Sequence, residues 1–195
     1  VAGLPRSPAA CSRCALPLAA NAVCGRCLRH PPAIDAAIAA FEYRFPIDRL
    51  VQRFKFAGDL AVGRWLGEQL AGATAAAAMP DLVVAPPLAW ARLRERGFNQ
   101  AVELARVVAS AHSLRLDIAA LEKARETTPQ PGLGRVQRQA NLRDAFRATR
   151  RWHGEHVAIV DDVMTTGATI DSIARVLRQA GASRVSAWIV ARTPL

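Results

Sequence analysis

From residue 80 onward, short continuous apolar runs alternate with stretches whose apolar residues fall every three or four positions. Asp81-Leu-Val-Val-Ala85 is such a run, stopped by Pro86-Pro87, and predicts a buried parallel strand that opens into a loop. Ala101, Leu104, Ala105 and Val108 recur at i, i+3, i+4 and i+7, so Asn99 to about Ala111 reads as an amphipathic helix. Leu114 to Leu121 could hold the next strand. Val157-Ala-Ile-Val-Asp161 is a second buried strand, followed by a helix with Ile170, Ile173, Ala174 and Leu177 on one face and Gly181 as its C-terminal cap. Val185 to Ala191 is a third clear strand. Strand, helix, strand, helix, strand implies right-handed crossovers and an α/β domain over 81–195 built on a mostly parallel sheet.

The pattern before residue 80 is different. Ala33 to Arg44 is largely apolar and alanine-rich. Pro46 then opens a helix to about Phe56, with Leu50, Val51, Phe54 and Phe56 on roughly helical spacing. Leu60 to about Ala78 reads as a second helix, with Leu66 and Leu70 at i and i+4, ended by Pro80. Residues 31–80 are therefore expected to be a helical connecting or hood segment. One later stretch breaks the alternation: Arg125 to Arg143 carries Pro129, Pro131, Gly132 and Gly134 and predicts a long loop. Loops of that length inside a domain are commonly functional.

Charge changes the picture. The 195 residues hold 26 Lys plus Arg against 16 Asp plus Glu, a formal charge of +10, which points to an anionic partner. Only Lys55 and Lys123 are lysines; the rest are arginines, whose planar forks suit phosphate and carboxylate, although a GC-rich genome explains the same ratio equally well. Apolar stretches such as Gln69 to Pro80 fall far short of the roughly 18 residues that a membrane span needs. Ala15 to Val23 imitates a signal peptide, but the run is short and contains Pro17, and cleavage there would separate two cysteine pairs. A cytoplasmic location is expected.

All four cysteines lie at Cys11, Cys14, Cys24 and Cys27, as C-x2-C, nine residues, C-x2-C. Each pair makes a tight turn able to offer two thiolates to one tetrahedral ion, which predicts a structural zinc site in a module over 1–30. His30 is a weaker substitute ligand. Disulfides are disfavoured in a reducing cytosol, and a redox pair is disfavoured because no strand precedes either CxxC.

The most informative stretch is Val157 to Thr169, VAIVDDVMTTGAT. Two adjacent carboxylates, Asp161 and Asp162, stand at the carboxyl end of a buried strand, and a small-residue turn precedes a helix, which is where open α/β sheets bind ligands. Backbone N–H groups of Thr165, Thr166, Gly167, Ala168 and Thr169, the threonine hydroxyls and the positive helix end favour a monophosphate. The acid pair should face hydrogen-bond donors or a metal, such as ribose hydroxyls and Mg2+. A P-loop is excluded, since no G-x4-G-K-[ST] occurs.

This stretch resembles the thirteen-residue phosphoribosyl-diphosphate (PRPP) fingerprint of type I phosphoribosyltransferases. Together with the four cysteines, Lys55-Phe-Ala-Gly58, Arg94-Glu-Arg-Gly-Phe-Asn-Gln100, Thr128-Pro-Gln130, Asn141 and Ala145-Phe146, the chain resembles the ComF family of competence proteins from about Cys11 to Arg192. The resemblance implies a phosphoribosyltransferase-type fold behind a zinc finger, binding of PRPP or ribose 5-phosphate with Mg2+, and a role in handling single-stranded DNA taken up during natural transformation, alongside other competence DNA-handling proteins. It also implies that Asp161 and Asp162 contact ribose, as the residues that would be catalytic in a transferase. The turn from Thr165 to Thr169 would hold the 5-phosphate, and the loop Ala85 to Leu88, with Pro86, the diphosphate. Arg125 to Arg138 would be a covering loop whose arginines neutralise diphosphate. Arg92, Arg94, Arg96 and Phe98 alternate in a way that suits either strand phosphates and bases or a solvated loop. Arg147, Arg150 and Arg151 with Trp152 form a second such cluster. The same resemblance leaves open an active salvage transferase of unknown acceptor and a PRPP-responsive regulator. His112, His153 and His156 read as surface residues, and Trp65, Trp90 and Trp188 as packing.

Overall fold

The computed structural model describes residues 3–7, 9–20, 22–124 and 145–194. In chain order the elements are α1 (Gly25–Arg29), β1 (Ala36–Glu42), α2 (Ile47–Ala57), α3 (Leu60–Thr74), β2 (Leu82–Val84), α4 (Trp90–Arg96), α5 (Gln100–Ala111), β3 (Arg115–Asp117), β4 (Leu121–Lys123), β5 (Phe146–Ala148), β6 (His156–Met164), α6 (Ala168–Gln179) and β7 (Arg184–Arg192). The main sheet is wholly parallel, in the order β1-β7-β6-β2-β3. The α/β class and the mostly parallel sheet expected from the pattern are what the chain forms.

Both sheet faces are covered. On one, Val83, Ala158, Val160, Trp188 and Val190 pack against Val51 and Phe54 of α2, Leu66 and Leu70 of α3, and Leu104 and Val108 of α5. On the other, Leu82, Val84, Val157, Ile159 and Val185 meet Ile170, Ile173 and Leu177 of α6. Burial on both faces explains why the strands read as continuous apolar runs. Asp59 caps α3 by accepting from Val62 N–H at 3.1 Å, and Asn99 caps α5 by accepting from Ala101 N–H at 3.0 Å. Past the end of α6, Gly181 sits at φ +109°, and a Cβ there would lie 2.1 Å from the Trp152 carbonyl oxygen.

Four expectations change. The alanine-rich stretch before Pro46 contains β1, an edge strand of the main sheet paired with β7, so residues 31–80 are not helical throughout. The helix expected to reach Ala78 ends at Thr74. Leu114 to Leu121 divides between β3 in the main sheet and β4, which pairs antiparallel with β5 in a separate two-stranded sheet. Finally, β6 runs on to Met164, so the acid pair lies within the strand's last turns of pleat rather than at its tip.

The order also locates a crevice. From β2 the chain moves outward to β3, then returns to place β6 on the other side of β2. That reversal opens the sheet at the carboxyl ends of β2 and β6, the place where parallel sheets accept ligands.

Candidate ligand-binding site

β6 delivers Asp161 and Asp162 to this crevice, and the turn 165–167 leads directly into α6. Thr165 and Thr166 are exposed, whereas Gly167, Ala168 and Thr169 are half-buried. Gly167 is the N-cap of α6 at φ +80°, a left-handed conformation that side chains disfavour. The Thr166 hydroxyl lies 3.3 Å from Ala168 N–H. Across the crevice, the loop after β2 begins with buried Ala85 and Pro86. The Asn99 amide donates to the Pro86 carbonyl at 3.0 Å while the same side chain caps α5. One asparagine thus fixes the loop to the helix behind it.

The acid pair is electrostatically uneven. Asp162 is 4% exposed, and the Lys55 ammonium of α2 lies 2.8 Å from its Oδ2. The contact is an ion pair without hydrogen-bond alignment. Asp162 N–H donates to Asp161 Oδ1 at 2.9 Å, and Val163 N–H to Asp162 Oδ1 at 2.6 Å. Burial, reinforced by the neighbouring Asp162 charge, pushes the Asp161 carboxyl up to about 7 despite the opposing pull of Lys55. A carboxyl held near neutrality exchanges a proton readily when a donor or cation arrives.

The turn is also held from behind. Arg192, at the end of β7 and 2% exposed, donates to the carbonyls of Cys14 at 3.0 Å, Met164 at 2.9 Å, Thr193 at 2.7 Å and Thr165. Arg26 donates to the Thr166 carbonyl at 2.9 Å, and Ala33 N–H donates to Asp171 Oδ1 at 2.6 Å.

The four cysteines converge as their spacing predicts, with all Sγ atoms within 4.8 Å of one another. Cys14 Sγ and Cys24 Sγ are 3.7 Å apart, against an edge of about 3.8 Å for a tetrahedron with Zn–S bonds of about 2.3 Å. Burial pushes the Cys14 and Cys27 thiols up. At Cys11 burial is outweighed by the N–H groups of Cys24, Arg13 and Cys14, which bring the thiol down to about 7. Crowded sulfurs that resist further negative charge, in a closed set of four soft donors, fit Zn2+. The module packs onto the main core through Ala15 and Cys14.

Other expectations fare differently. Arg92, Arg94 and Arg96 lie on α4, a helix with no buried residue, so their alternation puts Arg92 and Arg96 on one face and Arg94 on the other. Arg96 stacks over the Phe56 ring at 5.2 Å and donates to Gln100 Oε1 at 2.7 Å. Phe98 is no open platform, for its ring packs 5.4 Å from Phe54. The exposed aromatics at this helix are Trp90, which begins it, and Phe56, which lies under Arg96, at 63% and 74%, and Trp90 is therefore not a packing residue. The second basic cluster is paired: Arg147 with Glu122, and Arg150 with Asp117 at 3.1 Å and over the Trp152 ring at 3.9 Å. His112 and His156 are not plain surface residues, since they lie 2.9 Å from Thr74 Oγ1 and 2.8 Å from Ser186 Oγ. Arg125 and Arg138 lie outside the described residues. Among the described residues no helix is long and apolar enough to cross a membrane.

Spacing alone did not single out Lys55, Asn99, Arg26 or Arg192 as site residues. Asn99 had a local signal, a capping residue just before a periodic helix. Arg192 had a faint one, a charge ending a buried strand.

Residues 93–194 match the family model described as phosphoribosyl transferase domain. The DNA utilization protein YhgH of Escherichia coli strain K12 is 34% identical over 190 residues, covering 94% of this chain and 84% of that protein. Competence protein F of Haemophilus influenzae is 33% identical over 182 residues, covering 87% and 78%. The chain belongs to the ComF family. Among solved structures, this ComF-family chain is similar to the Bacillus subtilis glutamine phosphoribosylpyrophosphate amidotransferase complexed with ADP and GMP, with 27% identity, TM-score 0.46, and coverage of 65% of this chain and 25% of that one. The match to the phosphoribosyl transferase domain over residues 93–194 of the ComF chain takes in the acid pair and the turn before α6.

Proposed function

We propose that this ComF-family chain binds PRPP or ribose 5-phosphate with Mg2+ at the crevice between β2 and β6 and uses that site in the cytoplasm while handling internalised single-stranded DNA in natural transformation. The observation that carries the site is the Asp161–Asp162 pair running into the Gly167 turn and α6, opposite the Pro86 loop. In this reading the amides of Thr165 to Thr169 hold the 5-phosphate, helped by the helix end. Asp161 and Asp162 accept from the ribose hydroxyls, and Lys55 gives up part of its hold on Asp162 as they do. Carboxylate oxygens are hard donors that fit Mg2+ directly or through water. When bound, Mg2+ would supply charge neutralisation for the diphosphate.

The DNA part rests on the names of the relatives, a DNA utilization protein and a competence protein, on the +10 charge, and on α4, a surface helix carrying Trp90, Arg92, Arg94 and Arg96 beside exposed Phe56. Arginines interleaved with open rings suit single strands. A second reading, transfer of the ribosyl group to an acceptor base, is favoured by the acid pair alone, which would stabilise positive charge developing on the sugar.

Calorimetric titration of PRPP with Mg2+ into the wild type and the Asp161→Asn, Asp162→Asn variant tests the site. Binding by the wild type that the folded variant loses supports it; equal binding by both contradicts it. Affinity for a single strand should fall steeply with added salt, and salt-independent binding would remove the DNA reading.

A further inference from the structure

The carbonyls of the turn before α6 are held by two arginines of different origin, and this arrangement reaches back to the cysteines. Met164, Thr165 and Thr166 all direct their carbonyl oxygens at guanidinium groups: the first two at Arg192, the third at Arg26. In a trans peptide the carbonyl and the next residue's N–H point in opposite directions. Fixing these three carbonyls therefore fixes the N–H groups of Thr165, Thr166 and Gly167, aimed away from the arginines.

Both arginines are tied to the metal-ligand set. Arg26 lies on α1, between Cys24 at its N-cap and buried Cys27. A five-residue helix has no stability of its own, so α1 depends on the two cysteines that flank and interrupt it. Arg192 Nε donates to the carbonyl of Cys14, a third ligand in the same set. Release of the ion would free α1, and with it the Arg26 contact that orients the end of the phosphate turn, and would loosen the Cys14 carbonyl's bond to Arg192, which β7 itself keeps in place.

We infer that the four-cysteine module acts as a positioning device for the phosphate turn, with Arg26 as the residue that links metal occupancy to anion affinity and Arg192 as its buried anchor. This rests on the reading of the turn as a ribose-phosphate site. Linkage then requires reciprocity: the factor by which zinc tightens ribose 5-phosphate equals the factor by which ribose 5-phosphate tightens zinc.

The test uses the zinc-loaded full chain and ribose 5-phosphate as probe. Zinc affinity is measured by equilibrium competition with a chromogenic chelator, with and without saturating ribose 5-phosphate, in the wild type and in Arg26→Ala, an exposed contact whose loss leaves the core untouched. Ribose 5-phosphate affinity of each loaded protein is measured by calorimetry. The expected result is a zinc affinity raised about fivefold or more by the ligand in the wild type, with that shift collapsing towards one in Arg26→Ala as ribose 5-phosphate binding weakens by a similar factor. A purely local charge effect of Arg26 would weaken ligand binding without moving the zinc competition, and that outcome overturns the inference. Ribose 5-phosphate binding with no zinc shift in the wild type, or a full shift retained in Arg26→Ala, also overturns it while leaving the ribose-phosphate site standing. No ribose 5-phosphate binding to the loaded wild type overturns both.

Discussion

A carboxyl at the end of a buried strand, beside a second carboxylate, keeps its proton longer than one in water, and Asp161 is held up to about 7 for that reason. Its folded pKa lies above the unfolded value of about 3.9, so the folded chain binds more protons between those limits. The stabilisation is complete below about pH 4 and is lost as pH rises through about 7. Asp161→Asn should therefore lack this slope, with a urea midpoint that gains on the wild type between pH 5 and 7.5; parallel midpoints would contradict the assignment. The Lys55–Asp162 pair makes a second residue-level prediction. Lys55→Met leaves a buried carboxylate without its cation and should cost roughly 3 kcal/mol, most of it recovered when Asp162→Asn is added; a double-variant cycle with no coupling would sink the ion pair. The acid pair was legible in the sequence because its chemistry is contiguous over Val157 to Thr169. Lys55 and Arg192 were not, because each acts on residues far away along the chain, and no local spacing encodes such a partner.

At the scale of elements, helices α5 and α6 and strands β2, β6 and β7 were readable since each buries a face of definite period. β1 was not. Its sequence, AAIAAFE, favours helix by intrinsic propensity, and it becomes a strand because the edge of β7 offers six residues of backbone pairing. Likewise α4 buries nothing, so no period could announce it. The placement of Lys55 depends on how α2 meets α3, and that contact is tight: a Cβ at Gly63 would lie 2.3 Å from the Phe54 ring. Gly63→Ala should destabilise by about 1–3 kcal/mol through overpacking, and Phe54→Leu should relieve part of that cost. Urea denaturation of the two single variants and the double variant checks this; strictly additive losses would place the strain elsewhere.

Across the whole molecule, the cysteine module is joined to the main sheet by packing at Ala15 and Cys14 and by the Arg192 bond to the Cys14 carbonyl. Metal analysis should find about one Zn2+ per chain, and chelation should lower the thermal midpoint of the entire chain, not of the first thirty residues alone; a midpoint indifferent to metal would refute that coupling. The module's existence was plain from four clustered cysteines, whereas its docking behind the phosphate turn was invisible, since Arg26 and Thr166 are separated by most of the chain. On the proposed reading, the turn from Thr165 to Thr169, facing the Pro86 loop, receives a ribose phosphate. Backbone amide NMR with ribose 5-phosphate tests it most directly. The largest shifts are expected at Thr165, Thr166, Gly167, Ala168 and Thr169, with inorganic phosphate reproducing them and only the ribosyl compound moving Asp161 and Asp162 as well. Saturable shifts centred on α4 or any other surface, with the Gly167 turn unmoved, would contradict it.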